Sequence, residues 1–256
     1  MGKNKLKKFQ EMETFHNVYQ CAMRELRNPD APVALKGHWG EQVFGNANPI
    51  VLELGCGRGE YTVGLAERCP DKNFIGVDIK GARIWAGAKQ AELAGMRNVA
   101  FLRTNIEMLP LFFGPDEVSE IWITFPDPQM KKATKRLTST YFLARYQQLL
   151  QPNGTIRLKT DSPFLYTYTR EVVRANGLPV EADTADLYGP WTEDEVYDEA
   201  KALQTHYELQ WLDRGMTIKY LAFRLEAPTE WQEPDIDIEK DTYRSYGRNY
   251  VSQSNH

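Results

Sequence analysis

Short apolar runs alternate with amphipathic stretches between residues 50 and 161. The runs have the length and β-branched content of buried strands, and the stretches between them have helical periodicity. Because strands that alternate with helices build parallel sheets covered on both faces, the pattern favours an α/β fold. The predicted strands are Ile50–Leu54, Asn73–Asp78, Asn98–Arg103, Glu120–Phe125 and Thr155–Thr160, and the predicted helices are Glu60–Cys69, Gly81–Ala94, Thr138–Leu150 and Pro163–Ala175.

The pattern changes after Gly177. Residues 178–187 and 216–225 are predicted to be strands, and residues 191–203 an acidic helix. Two strands that follow five βα units predict a sheet that ends in an antiparallel hairpin.

The composition of the 256-residue chain, with 42% hydrophobic and 26% charged residues, is typical of a soluble globular protein. No apolar run approaches the roughly 20 residues that span a bilayer, and no secretion signal is visible. The three cysteines, Cys21, Cys56 and Cys69, lack metal or redox spacing, which is typical of reduced thiols. We therefore expect a cytoplasmic protein with no membrane contact and no metal.

The net charge of −4 conceals a segregation of charge along the chain. Residues 131–136 carry Lys131, Lys132, Lys135 and Arg136 and no acid, and the N-terminus is basic, whereas acids gather between 181 and 241. A single charge run is more often a solvated surface, but the segregation favours a nucleic-acid partner.

A glycine-rich turn, Gly55-x-Gly57-x-Gly59, joins the first predicted strand to the first helix. Glycines in such a turn let the backbone approach a nucleotide, and the spacing differs from the GxGxxG of dinucleotide binders. Glu53 precedes the turn, and Asp78 ends the next strand, where a carboxylate accepts hydrogen bonds from ribose hydroxyls. A tight turn and a turn-forming aspartate are the alternative interpretations.

Together these residues resemble the S-adenosylmethionine site of Rossmann-like methyltransferases. That resemblance places Glu53 near the methionine amino end of the cofactor and Asn105, after the third strand, near the adenine. Asn105 could instead cap a helix.

The segment Phe125-Pro126-Asp127-Pro128 follows the fourth strand, at the edge where doubly wound sheets bind their ligands. Prolines on both sides restrict the backbone, so they hold the Asp127 carboxylate in one orientation. A rigid turn with an incidental aspartate is the alternative.

Three motifs then resemble the signatures of the tRNA (guanine-N7)-methyltransferase family over residues 45–225. They are the Asp127 segment with its lysines, Lys159-Thr160-Asp161, and Thr205-His206-Tyr207-Glu208. The latter two motifs also have purely structural interpretations, the first as the start of a helix and the second as a capping box. The chain departs from the family at Gln129, usually Trp, and at Asn105, commonly Asp.

The resemblance implies a Rossmann-like methyltransferase with a doubly wound, seven-stranded, mostly parallel sheet and a terminal antiparallel hairpin. With the charge and periodicity along the chain, it predicts a methyltransferase domain over residues 46–226. A basic arm and lead-in over 1–45 precedes this domain, and an acidic, then polar, extension over 227–256 follows it. The resemblance implies Asp127 as the catalytic carboxylate. The implied cofactor residues are Glu53, Gly55, Gly57, Asp78, Asn105 and Asp127, and the implied substrate residues are Lys131, Asp161, Thr205, His206, Tyr207 and Glu208.

The implied reaction is methyl transfer from S-adenosylmethionine to N7 of a guanine in tRNA, in the variable loop, by in-line attack of N7. We expect Asp127 to accept hydrogen bonds from the guanine edge, Asp161 and Glu208 to share that duty or hold the ribose, and the four cations of 131–136 to meet phosphates. We expect a monomer or homodimer, with no partner subunit evident.

Three other interpretations stay open at this point. A methyltransferase of this fold could act on a protein or a small molecule. A non-catalytic RNA-binding module could retain the fold, although the intact acids Glu53, Asp78 and Asp127 disfavour it. A dinucleotide oxidoreductase is disfavoured by the GxGxG spacing.

Overall fold

The computed structural model describes residues 3–21, 33–226, 228 and 230–242. Eight strands form a single sheet in the order β1-β4-β3-β2-β5-β6-β8-β7. The sheet is parallel from β1 to β6, and β8 runs antiparallel to both β6 and β7. The strands are β1 Val18–Gln20, β2 Ile50–Leu54, β3 Asn73–Asp78, β4 Val99–Arg103, β5 Val118–Thr124, β6 Leu150–Thr160, β7 Val180–Thr184 and β8 Lys219–Arg224.

The α-helices among these residues lie on both faces of the sheet, which confirms the predicted doubly wound α/β architecture. Alternate residues of β2 show the two faces, since Leu52 and Leu54 join one buried apolar cluster and Val51 joins the other. The helices are α1 Lys3–Met12, α2 Glu60–Arg68, α3 Gly81–Leu93, α4 Leu109–Phe112, α5 Thr140–Tyr146, α6 Pro163–Ala175, α7 Asp198–Lys201 and α8 His206–Leu212.

The direction of chain progression reverses between β2 and β5. From β2 the chain proceeds outward through β3 and β4 on one side, and then returns to β5 and β6 on the other. Ligands of open α/β sheets bind at such a switch point, outside the carboxyl ends of the strands. The glycine turn after β2 and the Asp127 segment after β5 therefore meet at the same place.

The sheet has one strand more than the sequence predicted. Val18–Gln20 lies in the segment predicted as an arm, and it pairs in parallel with β4. Asn17 anchors it, because its side-chain amide donates to the Ala88 carbonyl (2.9 Å) and its carbonyl accepts from Phe101 N (2.7 Å). Residues 22–32 of the predicted arm lie outside the described residues, and the predicted boundaries at 45 and 226 stay predictions.

Two other elements differ from expectation. The strand predicted to begin at Thr155 begins at Leu150, since the Pro152–Gly154 segment loops out within β6 without ending it. The acidic helix predicted over 191–203 was wrong in extent. Only a 3₁₀ turn, Glu195–Tyr197, and the short α7 form there.

No helix in the described part of the chain has the length and apolarity that would take it across a bilayer.

The glycine turn is packed directly on α3, and this contact requires two glycines. A Cβ on Gly87 would lie 2.7 Å from the Arg58 carbonyl oxygen and 3.0 Å from the Gly59 Cα, both backbone atoms. Gly59 itself has φ of 73°. The absence of a side chain at position 87 therefore lets α3 approach the turn this closely.

We expect Gly87→Ala to lower the free energy of unfolding by about 1–3 kcal/mol, because the added methyl group overpacks a backbone contact. Urea denaturation measures the change. Gln90→Ala, at an exposed site on the same helix, is the control and is expected to change stability by less than about 0.5 kcal/mol. Equal effects of the two substitutions would contradict the proposed packing constraint.

Candidate active site

A cavity of about 600 Å³ opens at the carboxyl ends of β2 and β5, where the chain reverses direction. Its volume falls within the range of roughly 300–1,000 Å³ that is usual for small-molecule sites. It brings together residues from the glycine turn, the Asp127 segment and the start of α8. The lining residues are Glu53, Gly55, Cys56, Gly57, Arg58, Glu60, Tyr61, Lys80, Arg83, Thr124, Phe125, Asp127, Thr205, His206 and Tyr207.

The glycine turn folds over the end of β3. Gly55 and Gly57 have φ of 75° and 56°, a left-handed conformation that favours glycine. The amides of Gly55 and Cys56 both donate to the Val77 carbonyl, at 2.8 and 3.1 Å. The turn thereby presents backbone, without side-chain bulk at its glycines, to the floor of the cavity.

Asp78 is held by that turn at the end of β3. Its Oδ2 accepts from Gly57 N (3.0 Å), and its Oδ1 accepts from Lys80 N (2.7 Å). Each carboxylate oxygen can accept a further hydrogen bond. This orientation and spare accepting capacity suit the two hydroxyls of a ribose.

Glu53 is buried beneath the turn and joins two elements. One carboxylate oxygen accepts from Thr62 N (2.8 Å) and Thr62 Oγ1 (2.5 Å) on α2, and the other accepts from Thr124 Oγ1 (2.8 Å) at the end of β5. Burial raises the pKa of Glu53 to about 7, although these hydrogen bonds act in the opposite direction. A carboxyl group in this state can accept a cationic amino group and ionise on doing so.

The Asp127 segment is a constrained turn. Phe125 and Gln129 both have φ of 47°, in the left-handed region that non-glycine residues rarely adopt. Asp127 is exposed at the cavity, and its Oδ1 accepts from Gln129 N at 2.9 Å. Phe125 N donates to the Lys159 carbonyl (2.8 Å), which fixes the start of the turn to β6.

A buried ion pair lies beneath the start of α8. Lys159 Nζ contacts Glu208 Oε1 at 2.8 Å, and both side chains are fully buried. Lys159 Nζ also donates to Tyr61 Oη (3.0 Å) and to the carbonyls of Ala200 (2.7 Å) and Leu203 (3.0 Å). Burial lowers the pKa of Lys159 to about 8, and attraction to Glu208 opposes that shift.

The structure places the predicted substrate residues at different depths. Thr205, His206 and Tyr207 line the cavity, whereas Asp161 and Glu208 are fully buried. Thr205 and Glu208 form a capping box at α8, as their spacing also allowed. The ion pair of Lys159 and Glu208 therefore supports this wall of the cavity from the protein interior.

The remaining predicted residues are not among those that line the cavity. Asn105 is exposed just after β4, its side chain makes no cap hydrogen bond, and it is outside the residues that line the cavity. Lys131 and Lys132 are exposed. Lys135 is exposed and pairs with Glu107 (2.6 Å), and Arg136 is half-buried; that all four cations meet phosphates stays a prediction.

Sequence reasoning named Lys159 within a motif but gave it no role, and it missed Tyr61 and Thr124. Lys159 had a visible signal, because a lysine inside an apolar strand is almost never buried without a partner. Tyr61 and Thr124 had no comparable signal, since their importance comes from groups distant in the sequence.

Comparison with known proteins shows the family to which the chain belongs. The family described as putative methyltransferase matches residues 47–221. The tRNA (guanine-N(7)-)-methyltransferase of Bacteroides thetaiotaomicron is 57% identical over 97% of this chain and 96% of its own, and that of Porphyromonas gingivalis is 58% identical over 95% and 99%. This chain belongs to the tRNA (guanine-N7)-methyltransferase family.

Solved structures show the same fold at low identity. An antibiotic-related methyltransferase superposes with a TM-score of 0.54 at 14% identity, covering 79% of this chain and 98% of its own. The 16S rRNA methyltransferase KamB gives 0.50 at 19% identity, covering 73% and 92%. The resemblance confirms the Rossmann-like methyltransferase fold.

The raised pKa of Glu53 makes the stability of the methyltransferase depend on pH. Since the folded-state pKa of about 7 exceeds the ordinary value of 4.5, the protonated carboxyl group favours the folded state. That contribution is complete below pH 4.5 and is lost as pH rises through 7. As pH rises from 4.5 to above 7, we expect the free energy of unfolding of wild type to fall by about 3 kcal/mol relative to that of Glu53→Gln. Denaturation of both proteins from pH 4.5 to 8 tests this, and a constant difference would contradict it.

The buried pair gives a second prediction. Lys159→Met is expected to cost about 3–5 kcal/mol of unfolding free energy, because it leaves the Glu208 charge buried without its partner. The double variant Lys159→Met/Glu208→Gln is expected to recover part of the loss. Lys131→Met, which removes an exposed lysine, is the control and is expected to have little effect. Additive losses in the double variant would refute the coupling.

Proposed function

We propose that this protein transfers a methyl group from S-adenosylmethionine to N7 of a guanine in tRNA. One observation carries the proposal: the glycine turn, the Glu53 carboxyl group and the Asp127 turn line the same cavity. Relatives that are 57–58% identical over nearly the whole chain bear the name of this activity. They do not favour the alternative of a protein or small-molecule acceptor.

The cofactor is S-adenosylmethionine, which supplies a methyl group on a positively charged sulfur. The residues present fit it. Asp78 offers fixed acceptors for ribose hydroxyls, and Glu53 offers a carboxyl group for the amino end. Gly55 and Gly57 let the backbone approach, and Asn105 lies at the same edge of the sheet, where the adenine is expected.

N7 of neutral guanine carries a lone pair and no hydrogen, so the protein has no proton to remove from the attacking atom. Its task is to orient the base, and orientation alone contributes several kcal/mol. The Asp127 carboxylate accepts hydrogen bonds from N1–H and the exocyclic amine of guanine, whereas adenine presents an acceptor in place of N1–H. The same carboxylate stabilises the positive charge that develops on the purine.

The residues behind the cavity act indirectly. Glu208 is fully buried and forms the capping box with Thr205, so it positions the wall that Thr205, His206 and Tyr207 present to the substrate. Asp161 is likewise buried and does not line the cavity. This replaces the expectation that the two buried acids hold the base or ribose.

The exposed Lys131 and Lys132 contact tRNA phosphates, aided by the basic residues of α1. Such contacts give affinity and register, and they weaken with salt. The family resemblance implies a guanine in the variable loop. The enzyme acts in the cytoplasm as a monomer or homodimer.

We expect Asp127→Asn to lower the rate of methyl transfer to unmodified tRNA by about 10²-fold or more, as for loss of one preorganised electrostatic contact. The dissociation constant of S-adenosylmethionine is expected to change little. Asp71→Asn, an exposed aspartate before β3 at the opposite edge of the sheet, is the charge-matched control. Equal turnover of Asp127→Asn and the control would contradict the assignment of Asp127 as the catalytic carboxylate.

A further inference from the structure

Arg136 faces the interior side of the Asp127 turn. Its Nε donates to the Gln129 carbonyl (3.3 Å), and its Nη2 donates to the Met130 carbonyl (3.2 Å). Its guanidinium lies 4.8 Å from the Phe164 ring centroid and 4.3 Å from that of Tyr168. The planar group is therefore occupied by carbonyls at its edge and by aromatic rings at its face.

Those carbonyls belong to the turn that orients the proposed catalytic carboxylate. Gln129 N is the donor to Asp127 Oδ1, and Gln129 has the strained φ of 47°. A residue in this conformation persists only when surrounding contacts hold it there. Arg136 supplies such contacts on the far side of the same peptide units.

The aromatic rings are fixed in turn by residues 230–242, here named the C-terminal strap. Tyr168 Oη donates to Glu233 Oε2 (2.6 Å), and Glu233 Oε1 accepts from Thr140 N (3.0 Å) and Thr140 Oγ1 (2.7 Å). Glu233 thereby joins α6 to the start of α5. Carboxylates are favourable at helix N-termini because they complement the exposed amides there.

The strap follows α6 from one end to the other. Near the C-terminus of the helix, Gln232 N donates to Asn176 Oδ1 (2.8 Å). At the N-terminus, Asp241 accepts from Phe164 N (3.0 Å) and from Ser162 Oγ. Between these anchors the strap closes a cavity of about 260 Å³ whose opposite wall includes Met130, Arg136, Phe164 and Tyr168.

We propose that Arg136 is a positioning residue that braces the Asp127 turn, and that the C-terminal strap holds it in place by fixing its aromatic platform. Arg136 then acts through the turn, and phosphate contact is left to its exposed neighbours Lys131 and Lys132. The inference rests on the proposed function and deepens it, because it makes residues 230–242 part of the apparatus that orients the substrate.

Two variants of Arg136 separate bracing from phosphate contact. Arg136→Gln is expected to lower kcat at saturating tRNA by about 10-fold to 100-fold, as for a small misplacement of a catalytic group. The slope of log tRNA affinity against log salt is expected to stay unchanged. A phosphate contact predicts the reverse, namely retained kcat and a slope shallower by about 1.

Arg136→Lys keeps the charge but cannot span both carbonyls in the same way. We expect it to lose kcat nearly as Arg136→Gln does, whereas a phosphate contact would tolerate lysine. Lys132→Gln serves as the reference for a phosphate contact and is expected to flatten the salt dependence. Retained kcat in both Arg136 variants would overturn the proposal.

The strap is tested by Tyr168→Phe, which removes the hydroxyl that reaches Glu233 and leaves the ring beneath Arg136. A several-fold loss of kcat is expected, against no loss for Asp71→Asn, an exposed carboxylate outside the strap. Equal rates for the two variants would overturn the role of the strap.

Hydrogen exchange gives a readout that needs no tRNA. The Lys132 amide donates to the Gln129 carbonyl (3.1 Å), and bracing predicts that it exchanges faster in both Arg136 variants than in wild type, with the dissociation constant of S-adenosylmethionine unchanged. Unchanged exchange would contradict bracing. Failure of wild type to methylate tRNA would instead contradict the proposed function, and the exchange result would still decide the brace.

Discussion

The architecture of the site depends on one buried carboxyl group. Glu53 receives hydrogen bonds from Thr62 on the helix that follows the glycine turn and from Thr124 at the end of the strand that leads into Asp127. Glu53 thereby connects the helix after the glycine turn, on the cofactor side, to the strand that leads into the Asp127 turn, on the substrate side. Burial raises the pKa of Glu53 to about 7. The position that lets this carboxyl group contact both elements therefore destabilises its ionised form.

Two further layers repeat this arrangement farther from the cofactor. The pair Lys159–Glu208 joins β6 to the start of α8, and so places the Thr205–Tyr207 wall. Arg136 joins the Asp127 turn to the aromatic face of α6. In both cases a charged group receives its partners from separate elements, which ties the position of one element to that of the other.

The sequence allowed prediction of the parts whose signal is local. β2 and β3 match their predicted bounds because buried parallel strands are continuous apolar runs. The glycine turn and the Asp127 segment were expected at one edge of the sheet because parallel strands share a carboxyl edge, and both line the cavity. The three-residue β1 was missed, because it is a strand only through its pairing with β4. The direction of Arg136 and the burial of Glu208 depend on α6, α8 and the strap, which are distant in the sequence.

The central claim is that a single cavity brings the methyl donor and a tRNA guanine together. The most direct measurement incubates the full chain with labelled S-adenosylmethionine and unmodified tRNA and then locates the label by cleavage at 7-methylguanosine. The account predicts that the label lies at N7 of a guanine in the variable loop. Protein that binds the cofactor but leaves tRNA unlabelled, or labels another atom, would contradict it.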